Sequence, residues 1–407
     1  MSNTILTPTQ VTREALRILH EKINFIGSIN RQYDSSFANA GAKIGDSLAI
    51  RLPNEFTVRT GAVIDVQSVT EQSVTMSMAT QKGVDISFTS KELTLHLDDF
   101  SSRILEPAMS TLASHIEADA LSMVKDVYNV ANFATDLTPS SSDTTPSMAQ
   151  ILAAKVKLNQ MLTPKDRNRT ALLDSSATAG LVDALKALFQ DQSSLSKQYR
   201  EGVMGYASGF TFAENDLLPS QTVGDRVVDD AKYVASGSAG STFKIDDFTA
   251  ATPTIKKGEI IRVSGVYAVH PETKVAYPWL KTFVVTSDVD CTSNAGTLTI
   301  SPAIVTSGAG QNVSAAPVNG AAVYFCGDAS ATFGQQICYH KDAFAFVTAD
   351  LEDVSQYGTW GARETMDGIS MRIARQYQIT NDTVPCRIDV LYGYKAIRPQ
   401  LACRIWT

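Results

Sequence analysis

The chain has 407 residues and 43.9 kDa, enough to bury a sizeable core spread over two or more structural units. A hydrophobic fraction of 44% and a charged fraction of 19% describe a folded protein with a fairly neutral surface. The formal charge of −7, with no cluster of Lys and Arg, argues against nucleic-acid binding as the main task, because phosphate contacts need clustered cations.

Thr7-Pro8-Thr9-Gln10 has the chemistry of a helix start, with Thr as N-cap, Pro at the first turn and Gln for a capping box. Val11, Ala15, Ile18, Leu19, Ile23 and Ile26 then draw one apolar stripe, ended by Gly27 and Asn30. The spacing predicts an amphipathic helix of about five turns. A polar, glycine-containing tract from Tyr33 to Gly45 follows, so the helix either packs on its own body or is an arm that reaches a neighbour.

From Ser47 to Leu97 the period falls to two. Ile64 and Val66, Val74, Met76 and Met78, Val84, Ile86 and Phe88, and Leu93, Leu95 and Leu97 alternate with polar residues. Gly83 suits a turn between two of these strands. A thin ribbon of this kind is only marginally stable alone. It lies either in a sheet of its own chain or across an adjacent subunit.

In Asp98–Ala131 the apolar residues Leu105, Ala108, Leu112, Ile116, Ala120, Val124, Val127 and Ala131 step by three and four. From Pro107 the pattern predicts a helix of about 25 residues, roughly twice the usual length. The polar tract Thr135–Thr145 marks a boundary. A compact helix–strand–helix unit follows: Met148, Ile151, Leu152, Val156 and Leu162 on a helix, Arg169–Leu173 as a strand, and an Asp174 or Ser175 cap before a helix with Leu181, Leu185, Leu188 and Phe189.

From Thr222 to about Cys338, Gly, Ser, Thr and Val dominate and helical periodicity disappears. Short strands at Glu259–Val263, Thr282–Thr286, Thr297–Ser301 and Ala322–Cys326 describe a small β-barrel or sandwich placed as an insertion between α+β stretches. Ser236–Ser241 reads as a flexible exposed loop inside it. Ala343–Thr407 returns to long strands, with Ile388, Val390, Tyr392, Tyr394 and Ala396 alternating up to Pro399.

No catalytic motif is present, and no catalytic, cofactor-binding or metal residue is assigned; the chain does not read as an enzyme. His20, His96, His115, His270 and His340 are too scattered for ligand spacing. Asp98-Asp99 suits a helix N-terminus, and Asp229-Asp230 and Asp246-Asp247 lack the further oxygen ligands of a hard-cation site. The five cysteines, Cys291, Cys326, Cys338, Cys386 and Cys403, are odd in number and lack CxxC spacing, as expected of reduced, buried thiols in a cytosol. No stretch approaches a membrane span and no leader is evident, so no membrane partner is expected.

Three stretches carry a resemblance. Tyr199-Arg200-Glu201-Gly202 with the Gly209-Phe210 step looks like a run into an inserted domain. Thr254–Val266, with Gly258 and Gly265, looks like the insertion's first strand, and Cys386-Arg387-Ile388, Tyr392-Gly393 and Ile397-Arg398-Pro399 look like a C-terminal strand signature. Together with the order of parts, these resemble the major capsid (coat) proteins of short-tailed Salmonella-type bacteriophages, which have the Hong Kong 97-type capsid fold, an α+β fold, with an inserted small β-barrel domain.

The resemblance implies an N-terminal arm at 1–46, an extended intersubunit β loop at 47–92 and a peripheral domain with a spine helix at 93–142. It further implies an axial domain at 143–221, an inserted domain at 222–340 and C-terminal strands at 341–407. On this footing the ribbon crosses to a neighbouring subunit. The implied partners are other copies, in hexamers and pentamers of an icosahedral shell, together with a scaffolding protein and a portal protein. The shell encloses double-stranded DNA without sequence-specific binding, and assembly takes place in the host bacterial cytoplasm. One departure stands out: the loop expected to carry acidic contacts between capsomers, 236–241, has no charge here.

Overall fold

The computed structural model describes residues 8–31, 47–64, 66–67, 71–89, 104–131, 146–185, 205–226, 232–246, 248, 252–292, 294–352, 354–366 and 368–407. They fall into two compact units, each built from stretches distant in sequence.

The first unit comprises the N-terminal residues to Ile50, Ser73–Leu121 and Phe344–Lys395. Its sheet runs in the order Phe344–Ala349, Thr383–Ala396, Ile369–Arg375 and Trp360–Met366, with Thr80–Thr89 also paired to Thr383–Ala396. The Thr80–Thr89 strand is antiparallel to its partner from Thr89 opposite Thr383 to Thr80 opposite Tyr392. The run of the ribbon carrying Val84, Ile86 and Phe88 therefore belongs to a sheet of its own chain. Gly83 sits inside this strand and not at a turn. A Cβ there would stand 2.4 Å from the Ile388 carbonyl oxygen, so the position requires glycine for close strand approach.

Helix α1 (Pro8–Lys22) buries Val11, Ala15, Leu16, Ile18 and Leu19 within this unit, which answers the question of where its stripe goes. The expected five-turn helix is broken after Lys22, and a short α2 (Phe25–Ser28) follows. The break is held by Glu117 of α3 (Glu106–Leu121). Its buried carboxylate accepts the backbone N–H of Asn24 at 3.0 Å and of Phe25 at 2.6 Å.

Helix α3 is shorter than its periodicity predicts. It ends at Leu121, and Ser122–Asp126 tightens into 3-10 turns. Val127 and Ala131 continue the apolar spacing, yet they, like Val130, are buried from non-helical backbone. The Ala131 N–H donates to Arg404 O at 2.8 Å, and the Arg404 N–H to Asn129 O at 2.9 Å. Asn129 Nδ2 also donates to the carbonyls of Gln400 and Ala402. Edge pairing on the C-terminal strand satisfies this backbone, so the helix gains nothing by continuing.

The second unit comprises Arg51–Gln72, Ser122–Ala343 and Ala396–Thr407. One sheet runs Ala402–Trp406, Thr332–His340, Arg169–Leu173, Phe210–Glu214 and Tyr206–Ala207, with Ser220–Thr222 also paired to Thr332–His340. Arg169–Leu173 and Phe210–Glu214 are parallel, joined through α5 (Ser175–Leu185). Asp174 caps α5 as predicted, its Oδ1 accepting the Ala177 N–H at 2.6 Å. Helix α4 (Met148–Gln160) starts in a capping box of Ser147 and Gln150. Ile151, Ala154 and Leu158 pack with Leu173, Phe210, Cys338 and Ile405 in one core.

The same unit contains a closed barrel in the order Ile260–Val269, Ala276–Val285, Gly296–Ile304, Gly240–Asp246, Lys232–Val234 and Ala322–Phe325. Phe243, Ile245, Ile261, Val263, Phe283, Val285, Leu298 and Ile300 fill it. All four strands placed in this region by sequence lie in the barrel, and closure leaves no free edge. The 236–241 stretch is a braced turn where a flexible loop was expected: Ser238 Oγ accepts the Lys244 N–H at 2.9 Å, and Gly237 and Gly240 take positive φ. Tyr128, Val130, Val223, Ile260, Val284, Cys326, Phe333 and Trp406 form a second core that joins barrel to sheet.

Candidate assembly surface

Among the described residues, a run of exposed large apolar side chains lies in the segment between the paired strands Ser47–Arg51 and Ser73–Ser77. Leu52 N–H donates to Gln72 O at 2.8 Å, and Arg51 meets Glu71 at 3.4 Å, so the stem is closed. Beyond it, Phe56 is 60% exposed, Val58 95%, Val63 84%, Ile64 77% and Val66 81%. Isolated apolar residues on a surface are ordinary, but five this exposed within eleven residues of sequence are the kind of concentration that interaction surfaces show.

The loop holds itself in shape without a core. Gln67 bridges its two limbs, accepting the Thr57 N–H at 2.9 Å and donating back to Thr57 O. Arg59 closes the tip on the carbonyls of Gly61 and Val63. Glu55 meets Lys274 Nζ of the barrel at 3.6 Å, and that ammonium also donates to Gln311 O. Ile64 and Val66 were visible as alternating apolar positions in the sequence, whereas Phe56, Val58 and Val63 were not. Their signal was an apolar run without a partner of matching period.

In the first unit, Tyr377 and Ile379 are 52% and 85% exposed in the connection between Ile369–Arg375 and Thr383–Ala396. The Tyr377 hydroxyl donates to Asp382 at 3.0 Å and fixes that turn.

Charge is handled internally elsewhere. Arg226 and Glu259 are buried and meet at 2.6 Å. Burial pushes the Glu259 carboxyl up and the Arg226 guanidinium down, each partly opposed by its partner's charge. Glu259 Oε1 also accepts the Gly224 and Lys256 N–H groups, and Arg226 donates to Cys326 O and Gly327 O. In the first unit Asp389 takes both Arg372 and Arg387 at 2.8 Å.

Of the histidines, His340 is buried with Asp166 at 3.0 Å, and His115 is exposed on α3. His96, the side chain of His20, Asp98-Asp99, Asp229-Asp230 and Asp247 lie outside the described residues. All five cysteines are free and buried, and burial pushes the Cys326 and Cys403 thiols up to about 12. Among the described residues no group of three or more His, Cys, Asp or Glu is placed to hold a metal ion, and no helix is long and apolar enough to cross a membrane.

A family model described as P22 coat protein, gene protein 5, matches residues 21–404. No curated protein matches the sequence. Among solved structures, a chain of Mycobacterium phage Che8 is 12% identical with a TM-score of 0.44, over 94% of this chain and 90% of that one. The capsid structure of cyanophage P-SCSP1u gives 10% identity and a TM-score of 0.45, over 89% and 83%. A CUS-3 coat protein I-domain is 21% identical with a TM-score of 0.19, over 24% of this chain and 97% of that one.

Proposed function

The chain belongs to the P22 coat protein family, and from that premise we propose that it closes an icosahedral phage head through contacts made by its exposed loop. It is the major capsid protein of a phage head and a component of the virion. In our reading, copies gather into hexamers and pentamers, assemble on a scaffolding protein around a portal protein, and enclose double-stranded DNA. The net charge of −7 suits a shell that must not grip the DNA passing through it.

The observation that carries this reading is the patch formed by Phe56, Val58, Val63, Ile64 and Val66. An internally braced loop with apolar residues facing outward gains stability only when another surface covers it. We assign that cover to an adjacent copy and narrow the crossing segment from 47–92 to 52–72, since Thr80–Thr89 is already paired in its own chain. The remaining assignments follow the family plan: arm at 1–46, peripheral domain at 93–142, axial domain at 143–221, inserted barrel at 222–340 and returning strands at 341–407.

Negative-stain imaging of the chain expressed alone and beside its phage's scaffolding protein tests the proposal. Uniform closed shells with scaffolding, and open or aberrant forms without it, are expected. A monomer or small ring in both preparations contradicts it.

A further inference from the structure

Two lysines of the second unit are buried without an acid to meet them. Lys157, on α4, and Lys281, on the Ala276–Val285 strand, are each only 5% exposed. Lys157 Nζ lies 5.6 Å from the centre of the Trp279 ring, and Lys281 Nζ 4.8 Å from that of Tyr128. Among the described residues neither ammonium has a carboxylate partner. The Trp279 indole N–H, two residues from Lys281, is likewise buried without an acceptor. Tyr277 stacks on Trp279 at 4.3 Å, and its hydroxyl reaches Gln160 O at the end of α4. Helix α4 and the Ala276–Val285 strand thus bring three donors into one neighbourhood, Lys157 over the Trp279 ring and near enough to Lys281 for their charges to repel.

Buried charges are ordinarily paired, and a ring face offsets only part of the cost of removing an ammonium from water. Burial pulls both lysines down to about 8, with the Lys157 charge as a second cause at Lys281, so both still carry charge at neutral pH. Arg262 adds to the positive field at Lys157, and the Cys403 thiol stays protonated and supplies no anion. Like charges held close together at largely buried positions call for a counter-charge from outside the described residues.

We propose that this patch, between α4 and the Ala276–Val285 strand, binds a small oxyanion of the phosphate or sulfate class, held by Lys157 Nζ, Lys281 Nζ and the Trp279 indole N–H. Such an ion would link the helix of the α+β core to the inserted barrel, and the barrel's attachment would then depend on the anion present.

The test is thermal unfolding of the full chain in inorganic phosphate against chloride, at one pH and one ionic strength. The wild-type midpoint is expected to rise by about 2 °C when phosphate stands at ten times its dissociation constant, and by about the same again for each further tenfold. The double variant K157M/K281M is expected to show no such rise. A wild-type chain indifferent to phosphate overturns the proposal, and so does an equal rise in the double variant. Should the double variant not fold, K157M and K281M singly are expected to halve or abolish the shift, and full shifts in both would overturn the site.

Discussion

The hydroxyl of Tyr392 donates to Asp119 Oδ2 at 2.5 Å, and Lys82 Nζ reaches the same oxygen at 2.6 Å. One carboxylate on α3 thus ties together the two paired strands Thr80–Thr89 and Thr383–Ala396. Tyr392 is fully buried, so its hydroxyl has no water to fall back on. Asp119→Asn is expected to lower stability by about 1–3 kcal/mol, and Tyr392→Phe by about 1 kcal/mol, in urea unfolding. Two neutral substitutions would mean that the triad is incidental.

Glu117 is the joint between α3 and the N-terminal helices. Removing its carboxylate leaves the Asn24 and Phe25 N–H groups without their acceptor, at about 1–3 kcal/mol each if both stay buried. Glu117→Ala is expected to release α1 and α2, seen as early proteolytic cleavage before residue 31. Resistance equal to that of the wild type would contradict the role.

The exposed loop separates folding from assembly. Val58→Asp and Ile64→Asp place charge on side chains that touch little in the isolated chain, so stability should move by no more than about 0.5 kcal/mol. Shell yield beside scaffolding protein is expected to collapse. Normal shells from the double variant would remove the loop from the interface.

The Arg226–Glu259 pair tests how the barrel is tied down. Glu259→Gln strands a buried guanidinium and is expected to cost about 3–5 kcal/mol, whereas R226M/E259L, which removes both charges, should cost markedly less. A double-mutant cycle in urea measures the difference, and additive losses would show that the two act separately.

Lys157 and Lys281 also set a pH dependence. With folded values near 8 against an ordinary 10.5, they bind fewer protons folded than unfolded between those two pH values. Their contribution to stability therefore increases as pH rises from about 8 to about 10.5. The unfolding midpoint of the wild type, taken relative to K157M/K281M in chloride, is expected to climb across that window. A constant difference would show that the lysines titrate as exposed ones do.

Much of this fold could be read from the residues. Arg169–Leu173 and the Asp174 cap carry local chemistry that decides their structure alone, and the barrel strands alternate between clear turn signals. The end of α3 was not legible, because Val127 and Ala131 keep a helical spacing that a non-helical segment paired to Ala402–Trp406 satisfies equally well. Gly83 looked like a turn, since sequence does not distinguish a glycine that bends the chain from one that lets a neighbour approach. The long strand partner of Thr80–Thr89 lies some 300 residues away, beyond the reach of any local pattern. Glu117, Lys157 and Lys281 each interrupt an apolar context with one charge, which in sequence looks the same as an exposed position.

The barrel enters and leaves the sheet at one rung. Thr222 stands opposite Thr332, their hydroxyl oxygens 3.0 Å apart, and Arg226 on the way in donates to Cys326 O and Gly327 O on the way out. A chain without residues 223–331 would need only a tight turn to join the two sides of that rung, and the sheet's register would be unchanged. The barrel is thus built as a cassette, its way in and its way out of the sheet meeting at a single pair of threonines.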